Sequence, residues 1–411
     1  HIIKIMAVTV VINGKEVNIE DINMSIELNS NDICNDDNDS GGGDDTLPGE
    51  WSDSVKFDNP YSIKKIRFGN KIQIFENDPS LKMENHRAYY FKVKKVDDIF
   101  IMYYAAVGTN PEDNLERRNL LVAWTDDITK GFVQGFPPNM IGGEPNNTLN
   151  RLLNVGGDAP EVVDFPEDEE APYRMFFNMK VPGSEQHRMM KLAKDGVTQV
   201  GNIVKAGRGK RKDSQYSATL LENNTFRLYE RRWVTKPDGE MYRTLEVMNI
   251  NPNNGYLIGS KVNLDINKVY TSAATRVKEG VDLLLPTHFH GDDNPVKVRA
   301  VLVDNDLNKT EIEVEGTPFD NVNFFGLVNP GILTNGEKYY ITVVEQDTPH
   351  NTFNKSKYSN SRVSLVEIFF DLEDGAGNGD DDNGDDNSDP IPLNVEVSDN
   401  RVDVTFEDFD N

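Results

Sequence analysis

The chain has a single cysteine, Cys34, among 411 residues. An intrachain disulfide within these residues is therefore excluded, and the fold has to be held together by packing and hydrogen bonds. A cysteine-ligated zinc site, which uses several cysteines, is excluded as well. This composition fits assembly in a reducing compartment and leaves later export open.

Long apolar runs are missing, because the longest ones have only the length of a strand. A membrane-spanning helix needs about 20 apolar residues, so no span is expected. Positive charge is also scarce, since 43 Lys and Arg stand against 69 Asp and Glu and give a formal net charge of −26. Such a polyanion repels nucleic acid, and we expect neither DNA nor RNA as a partner.

Helical periodicity is scarce between residues 87 and 370, where a pattern of strands recurs instead. Each copy pairs two apolar runs across a short turn and then adds a third run. In the clearest copy these runs are residues 89–93, 99–104 and 119–127. The copies begin near residues 87, 158, 213, 270 and 324, roughly 55 residues apart after a longer first interval.

A small sheet of this kind cannot bury both of its faces alone, whereas several sheets packed around one axis can. The repeat therefore predicts an all-β fold, namely a five-bladed β-propeller over residues 51–371.

Short β-hairpins are predicted on both sides of this body. Asn13-Gly14 is a type I′ turn signal between two strand-like runs, and residues 393–406 alternate with period two around a turn. Residues 31–50 and 372–390 are acidic and too poor in apolar residues to fold. The predicted order is an N-terminal β module (1–30), an acidic linker (31–50), the propeller (51–371), a second acidic linker (372–390) and a C-terminal β-hairpin (391–411).

Two elements of the clearest copy resemble a known family. Residues 100–104 (FIMYY) and 121–127 (LVAWTDD) look like successive blade strands of the five-bladed propeller glycosidases, glycoside hydrolase families 43 and 32. Residues 191–196 (KLAKDG) resemble the second element again. The resemblance covers most of residues 75–370. It implies a funnel on the axis in which carboxylates protonate the glycosidic oxygen and activate water or attack the sugar.

The resemblance also implies where these carboxylates stand. Asp158 opens the second copy in a sequence that resembles the family's Asp-Pro element with an alanine inserted. Asp213 opens the third copy, and Glu230 lies on that copy's second strand. For the first copy the candidate is Asp78, with Glu84 as an alternative. The structural interpretation of each stays open, because Asp often caps a turn and Glu often pairs with arginine.

Other side chains suit sugar binding. Arg231, Trp233 and Tyr229 combine a guanidinium that matches a carboxylate with rings that stack on a sugar face. His288 and His290 share one face if they lie on a strand, which is a spacing that also fits a metal ligand pair. A solvated loop is the first interpretation and the rim of a sugar pocket the second, with His288 and His290 as the candidate sugar contacts, and no metal is predicted there.

The tract at residues 380–389 alternates carboxylates with Asn and Gly, as calcium loops do. Asp380, Asp382 and Asp385 are the candidate calcium ligands. The tract lacks the spacing and the closing glutamate of an EF-hand, so a disordered polyanion is the first interpretation and a weak calcium site the second. No other cofactor is expected.

These features together predict a glycan-recognising propeller, with or without hydrolysis, displayed on a phage or virus particle as part of a tail or surface appendage. The terminal β modules would then contact other virion proteins, and the chain would be made in the host cytoplasm. The alternatives are a soluble, secreted glycoside hydrolase that acts on polysaccharide and a structural virion protein with an inactive propeller.

Overall fold

The computed structural model describes residues 9–12, 15–18, 50–78, 80, 87–109, 116–137, 157–181, 184–210, 216–235, 241–288, 296–322, 324–336, 338–349, 360–373, 393–398 and 401–406. These residues are almost all in β-strands, so the predicted all-β class is confirmed. They include two short 3-10 helices, Pro60–Ser62 and Ile128–Lys130. In this part of the chain, no helix has the length and apolar character that crossing a membrane requires.

The strands of the described residues are β1 (Thr9–Ile12), β2 (Lys15–Asn18), β3 (Ile63–Glu76), β4 (Arg87–Val96), β5 (Ile99–Thr109), β6 (Glu116–Thr125), β7 (Val133–Gln134), β8 (Gly157–Asp164), β9 (Tyr173–Val181), β10 (Ser184–Leu192), β11 (Gln199–Lys210), β12 (Tyr216–Leu220), β13 (Phe226–Thr235), β14 (Met241–Ile250), β15 (Leu257–Asn267), β16 (Val269–Lys278), β17 (Val281–His288), β18 (Lys297–Val298), β19 (Ala300–Asp304), β20 (Lys309–Glu315), β21 (Phe324–Thr334), β22 (Tyr339–Pro349), β23 (Ser361–Leu372), β24 (Leu393–Ser398) and β25 (Arg401–Phe406).

The chain divides into two compact units, and the smaller one comprises His1–Asp44 and Gly377–Asn411. It holds two antiparallel hairpins, in which Val10 lies opposite Val17 and Val395 lies opposite Val404. Strands β1 and β25 are in contact, so the two hairpins meet. The five-part domain organisation given above remains a prediction.

The larger unit, Asp45–Ala376, contains the remaining sheets. Strands β4–β7, β8–β11 and β12–β15 each form a four-stranded antiparallel sheet in which the strands are paired in chain order. A nine-stranded sheet follows the order β16-β17-β19-β20-β3-β23-β22-β21, with β18 beside β17. Three sequence repeats therefore fold into separate sheets, and the last two share one.

The first strands of the repeats are β4, β8, β12, β16 and β21, and they contact one another in a closed cycle. Strand β4 contacts β8, β8 contacts β12, β12 contacts β16, β16 contacts β21, and β21 contacts β4. This cycle defines an axis, with a start end at the N-terminal ends of the first strands and an exit end at their C-terminal ends.

Strand β3 joins the last two repeats. It pairs in parallel with β20, where Glu315 lies opposite Arg67, and antiparallel with β23, where Leu372 lies opposite Ile63. The beginning of the body therefore completes its last sheet. Because this strand merges two repeats into one sheet, the count of five separate blades remains a prediction.

Strand β5 shows why these sequences form strands buried on both sides. Its interior is buried at every position, as expected when a sheet is packed between two others. Side chains alternate between the faces with period two. Met102 and Tyr104 pack with Phe91 and Leu365 on one side, whereas Ile101 and Tyr103 pack toward the second sheet.

A tight turn between β14 and β15 of the third sheet contacts β11, the outer strand of the second sheet. The N–H of Gly207 donates to the carbonyl of Gly255 at 2.8 Å. Gly255 has a φ of +72°, and a Cβ on it would lie 2.2 Å from the carbonyl oxygen of Lys205. Only glycine therefore allows the two backbones to approach this closely.

A pair of alanine substitutions tests this contact. Gly255 and Gly259 share a φ of +72°, but nothing lies within 4 Å of a Cβ on Gly259. We expect Gly259→Ala to cost roughly 1–2 kcal/mol for the left-handed backbone. Gly255→Ala should cost about 2 kcal/mol more because the added methyl group overpacks the turn. The free energy of unfolding in urea measures both, and equal costs would contradict the close contact.

Candidate functional site

The first strands of the first two sheets carry the same irregularity. One extra residue is inserted in β4 between Tyr89 and Lys92, and one in β8 between Asp158 and Glu161. Such bulges bend a strand and redirect its side chains, and they are common beside active sites. The matching registers make Tyr89 the counterpart of Asp158.

The residue inside each bulge has an unusual backbone conformation. Tyr90 and Ala159 have φ values of 55° and 52°, in the left-handed region that glycine usually occupies. For an aromatic residue this conformation costs energy, and such strain tends to persist at functional sites. Both bulges lie at the start end of the axis.

Asp158 is 4% exposed and lies between charged and polar partners. Arg118, from β6 of the first sheet, forms an ion pair with its Oδ2. The Nδ2 of Asn178 donates to its Oδ1 at 3.2 Å. Gly157 permits this approach of two sheets, because a Cβ on it would lie 2.9 Å from the side chain of Leu120.

Glu230 is fully buried and is also paired. Lys261, on the outermost strand of the same sheet, donates to its Oε2 at 2.8 Å. The Nε2 of His187, on the second sheet, lies 3.5 Å from its Oε1. Glu230 is therefore held from both sheets.

Side chains from two sheets connect the two carboxylates. The hydroxyl of Tyr216 donates to Oδ1 of Asn178 at 2.7 Å, and Asn178 in turn reaches Asp158. The ring of Tyr216 meets the ring of His187 edge-on, with 4.7 Å between the centroids. We call this continuous set the polar row; its members are Arg118, Asp158, Asn178, Tyr216, His187, Glu230 and Lys261.

A second group of side chains stacks beside the polar row. The guanidinium of Arg243 lies 4.3 Å from the ring centroid of Trp233 and 4.8 Å from that of Tyr270. Arg231 lies 4.8 Å from the same Tyr270 ring and donates to the Tyr270 carbonyl at 2.7 Å. Trp233 is 38% exposed and forms the solvent-facing end of this cation–aromatic stack.

Tyr90 brings the two groups together. Burial raises the pKa of its hydroxyl well above the ordinary range, and the neighbouring Tyr270, Asp158 and Tyr89 add to this increase while Arg231 opposes it. These groups act on one hydroxyl, so residues of four repeats converge at the start end. A tyrosine hydroxyl is neutral at neutral pH, so this group is a hydrogen-bond donor there.

The structure brings three of the sequence-predicted site residues, Asp158, Glu230 and Arg231, into this region, and Trp233 borders it. Tyr229 lies elsewhere in the fold: it is fully buried, and its hydroxyl donates to Asp282 at 2.6 Å. That contact joins the third and fourth repeats and is typical of a core residue.

The remaining predicted residues have other surroundings or lie outside the described residues. Asp78 accepts from the backbone N–H of Ser80 at 2.8 Å, as a turn-capping aspartate does, and hydrogen bonds from Ser80 lower its pKa. His288 ends β17 opposite Val269 and Lys297. Asp213, His290 and the calcium candidates Asp380, Asp382 and Asp385 lie outside the described residues.

Sequence reasoning did not select Arg118, Asn178, Tyr216, Tyr270 or Tyr90. Asn178 lies directly opposite Asp158 on one side and directly opposite His187 on the other, so aligning the predicted strands around Asp158 could have found it. The bulge at Tyr90 has no comparable signal in the sequence.

Deeper along the axis lies a second ionic contact. Glu161 is fully buried, and its Oε1 lies 3.3 Å from the Nζ of Lys92 and 3.3 Å from the backbone nitrogen of Ala218. Its Oε2 has no hydrogen-bond partner among the described residues. Burial raises the pKa of this carboxyl to about 7, although Lys92 acts in the opposite direction.

Comparison with known proteins returns similar structures but no family model and no curated protein. A thermostable family-43 glycoside hydrolase is 11% identical, with a TM-score of 0.45, over 74% of this chain and 96% of that chain. The GH43_1 enzyme from Xanthomonas citri complexed with xylotriose is 9% identical, with a TM-score of 0.46, over 74% of this chain and 92% of that chain. The endo-arabinase from Bacteroides thetaiotaomicron is 12% identical, with a TM-score of 0.43, over 74% of this chain and 98% of that chain.

The first two of these structures are family-43 enzymes by their titles, and family 43 is one of the two families named in the sequence resemblance. The likeness concerns the fold alone. With identities of 9–12% and TM-scores below 0.5, the functional argument rests on the geometry of this chain.

The raised pKa of Glu161 gives a prediction with a definite sign. The folded-state pKa of about 7 lies above the ordinary value of 4.5, so the contribution of Glu161 to stability is full below pH 4.5 and is lost as the pH rises through 7. Between pH 5 and pH 8, the wild type should lose about 1–3 kcal/mol of unfolding free energy relative to Glu161→Gln. Urea unfolding at both pH values measures this difference.

Glu315→Gln is the control for that experiment. The pKa of Glu315 is lowered by its hydrogen bond from Lys65, so this carboxylate is ionised in both the folded and the unfolded state from pH 5 to pH 8. Its substitution should leave the difference from wild type unchanged over this range. A flat profile for Glu161→Gln as well would show that Glu161 does not titrate there.

Proposed function

We propose that this chain is a carbohydrate-binding β-propeller of five blades that holds a glycan at the start end of its axis. The observation that carries the proposal is the convergence of Asp158, Arg231, Tyr270 and Tyr90 at that end, from four different repeats. Arg231 stacks on Tyr270, Tyr90 packs in the cluster that holds Tyr270, and the strands of Tyr90 and Asp158 are in contact. Convergent polar groups on rigid strands, beside exposed aromatic surface, are what a small-molecule site requires.

The chemistry of this region suits a sugar. Carboxylate, guanidinium and phenol groups offer acceptors and donors for ring hydroxyls. Trp233 offers an aromatic face for the C–H surface of a sugar, and Arg243 behind it fixes the ring. Arg231, which stacks on Tyr270, adds a guanidinium group, which favours a glycan that carries carboxylates.

Binding is favoured over hydrolysis by the partners of the carboxylates. Glycoside hydrolysis uses two carboxyl groups about 5–10 Å apart, one of which gives up a proton. Here Asp158 is paired with Arg118, and Glu230 is paired with Lys261. In the first repeat, Tyr89 occupies the position that Asp158 has in the second, so the first bulge supplies no carboxylate.

Trp233→Ala tests the proposed glycan site. Acidic and neutral plant and bacterial oligosaccharides are first screened on a glycan array, and the best ligand is then titrated by calorimetry. Loss of the stacking ring should weaken binding about tenfold, equivalent to about 1.4 kcal/mol. Tyr256→Ala is the matched control, because Tyr256 is an aromatic residue that is 67% exposed and lies outside the cation–aromatic stack. Equal effects of the two variants would contradict the site.

A reducing-end assay on the same ligand separates binding from cleavage. We expect no turnover by the wild type and retained affinity in Asp158→Asn, because Asn keeps the shape and one acceptor of Asp. Turnover that is lost in Asp158→Asn would replace the binding proposal with glycoside hydrolysis.

We also propose that the protein is displayed on a phage or virus particle. Support comes from the smaller unit, where the hairpins β1–β2 and β24–β25 are in contact and form one small β unit suited to attachment. The chain should then sediment with purified particles and remain bound after a high-salt wash. Recovery only from the culture medium of cells that carry no particles would favour the secreted alternative.

A further inference from the structure

A cavity of about 310 Å³ lies at the exit end of the axis, opposite the proposed glycan site. The later halves of β4, β8, β12, β16 and β21 line it, together with the lead-in segment, which we define as residues 51–57. Its volume is at the lower end of the range of about 300–1,000 Å³ that is usual for ligand sites, which suits a ligand of monosaccharide size.

The lead-in segment is tied across this end of the axis. Ser52 and Thr334 exchange backbone hydrogen bonds of 2.7 and 2.8 Å, and the N–H of Phe57 donates to the carbonyl of Val277 at 2.8 Å. Val55, between them, is buried in the core. The cavity therefore has walls on the strands and on the lead-in segment, all held by backbone contacts.

Four cationic side chains line the cavity, and three of them are neutralised by carboxylates. Lys92 pairs with Glu161, and Arg276 pairs with Asp282. Lys94 lies between two carboxylates, 2.5 Å from Asp53 and 2.6 Å from Asp164.

Lys56 is the exception among the cations that line the cavity. Within the described residues, its ammonium group makes one hydrogen bond, a long one of 3.4 Å to the carbonyl of Arg276, and no ion pair. Burial and the nearby Arg276 guanidinium lower its pKa, and the carboxylates of Glu222 and Asp282 act in the opposite direction. Lys56 lies at the exposed rim of the cavity, so an anion bound there can pair with its ammonium group without displacing a paired carboxylate.

The rest of the lining suits the body of a sugar acid. The hydroxyl-bearing side chains of Ser54 and Thr342 offer hydrogen bonds, and Leu220 and Leu333 offer an apolar wall. A ligand with one carboxylate, several hydroxyls and a hydrocarbon face would use all three kinds of surface.

We propose that the exit-end cavity is a second ligand site that takes a small hydroxylated carboxylate such as a hexuronic acid. Its carboxylate pairs with Lys56, its hydroxyls contact Ser54 and Thr342, and its apolar face lies against Leu220 and Leu333. The ligand bridges the lead-in segment and the strand ends.

This site is independent of the proposed glycan site. Along β4, Tyr90 belongs to the start end and Lys94 lines the exit-end cavity; along β8, Asp158 and Asp164 are divided in the same way. The Lys92–Glu161 pair lies between the two ends. The exit-end site can therefore be occupied whether or not the start end binds a glycan.

Calorimetric titration of the full chain with D-galacturonate tests the proposal, and D-galactose and inorganic phosphate are the comparison ligands. We expect galacturonate to bind with 1:1 stoichiometry, galactose to bind at least about tenfold more weakly because it lacks the carboxylate, and phosphate to be weaker than galacturonate because it lacks the hydroxylated ring. Lys56→Met should weaken galacturonate binding about tenfold, and Lys56→Arg should retain it. Lys64→Met is the control, since Lys64 is an exposed lysine of β3 that pairs with Glu373.

Thermal melts of each variant in the absence of ligand confirm that the fold is intact. Equal binding of galactose and galacturonate, unchanged binding by Lys56→Met, or phosphate binding as tight as galacturonate would each overturn the proposal. Trp233→Ala should leave this titration unchanged, so failure of the start-end proposal and failure of this one give different results.

Discussion

The structure of the larger unit depends on the pairing of β3 with strands from the far end of the chain. Arg67 on β3 bonds Asp371 on β23, although the two residues are 304 positions apart. The entropy cost of closing such a loop grows only slowly with length, and the long antiparallel register of β3 and β23 offsets it. The last sheet is incomplete until this pairing forms, so we expect closure to be late and slow in folding.

Closure also fixes the first repeat against the last. The Nε2 of Gln346 on β22 and the hydroxyl of Ser361 on β23 both donate to the carbonyl of Ala88 on β4. Ala88 directly precedes the bulge that carries Tyr90. The position of Tyr90 at the start end is thus set by β22 and β23, two strands that lie far from it in the sequence.

Charged groups along the axis are tolerated because they are paired across sheets. Burying a charge costs several kcal/mol unless a partner and hydrogen bonds compensate it. Asp282 illustrates this, since it accepts from Tyr229 and Thr219 of the third repeat and pairs with Arg276 of its own sheet. Buried charges such as Asp282 are therefore structural, which gives weight to Glu161, a buried carboxyl whose Oε2 has no hydrogen-bond partner among the described residues.

The all-β class and the position of Asp158 could be predicted from the sequence because both follow from strand periodicity and repeat starts. The position of a side chain along the axis, in the core or at the start end, could not be predicted. Tyr229 and Arg231 share one face of β13, but Tyr229 lies in the core against Asp282, whereas Arg231 lies against Tyr270. The bulges in β4 and β8 could not be predicted for a related reason, because an extra residue is recognised only from the pairing register with the neighbouring strand.

The same logic explains why the first repeat offered no convincing carboxylate. Asp78 was the nearest acidic residue, yet it lies in a turn after β3. The register shows instead that Tyr89 fills the position equivalent to Asp158. In the first repeat, an aromatic residue therefore stands where the second repeat has a carboxylate.

The arrangement of β3 and β23 has a mechanical consequence. Ile63 lies opposite Leu372, so the chain enters and leaves this strand pair at the same end. Tension applied through the two ends of the body would first pull the lead-in segment away and would then open the pair like a zipper, one hydrogen bond at a time. A strand pair that is opened from one end yields at lower force than one that is sheared along its length. The larger unit would therefore open first between β3 and β23.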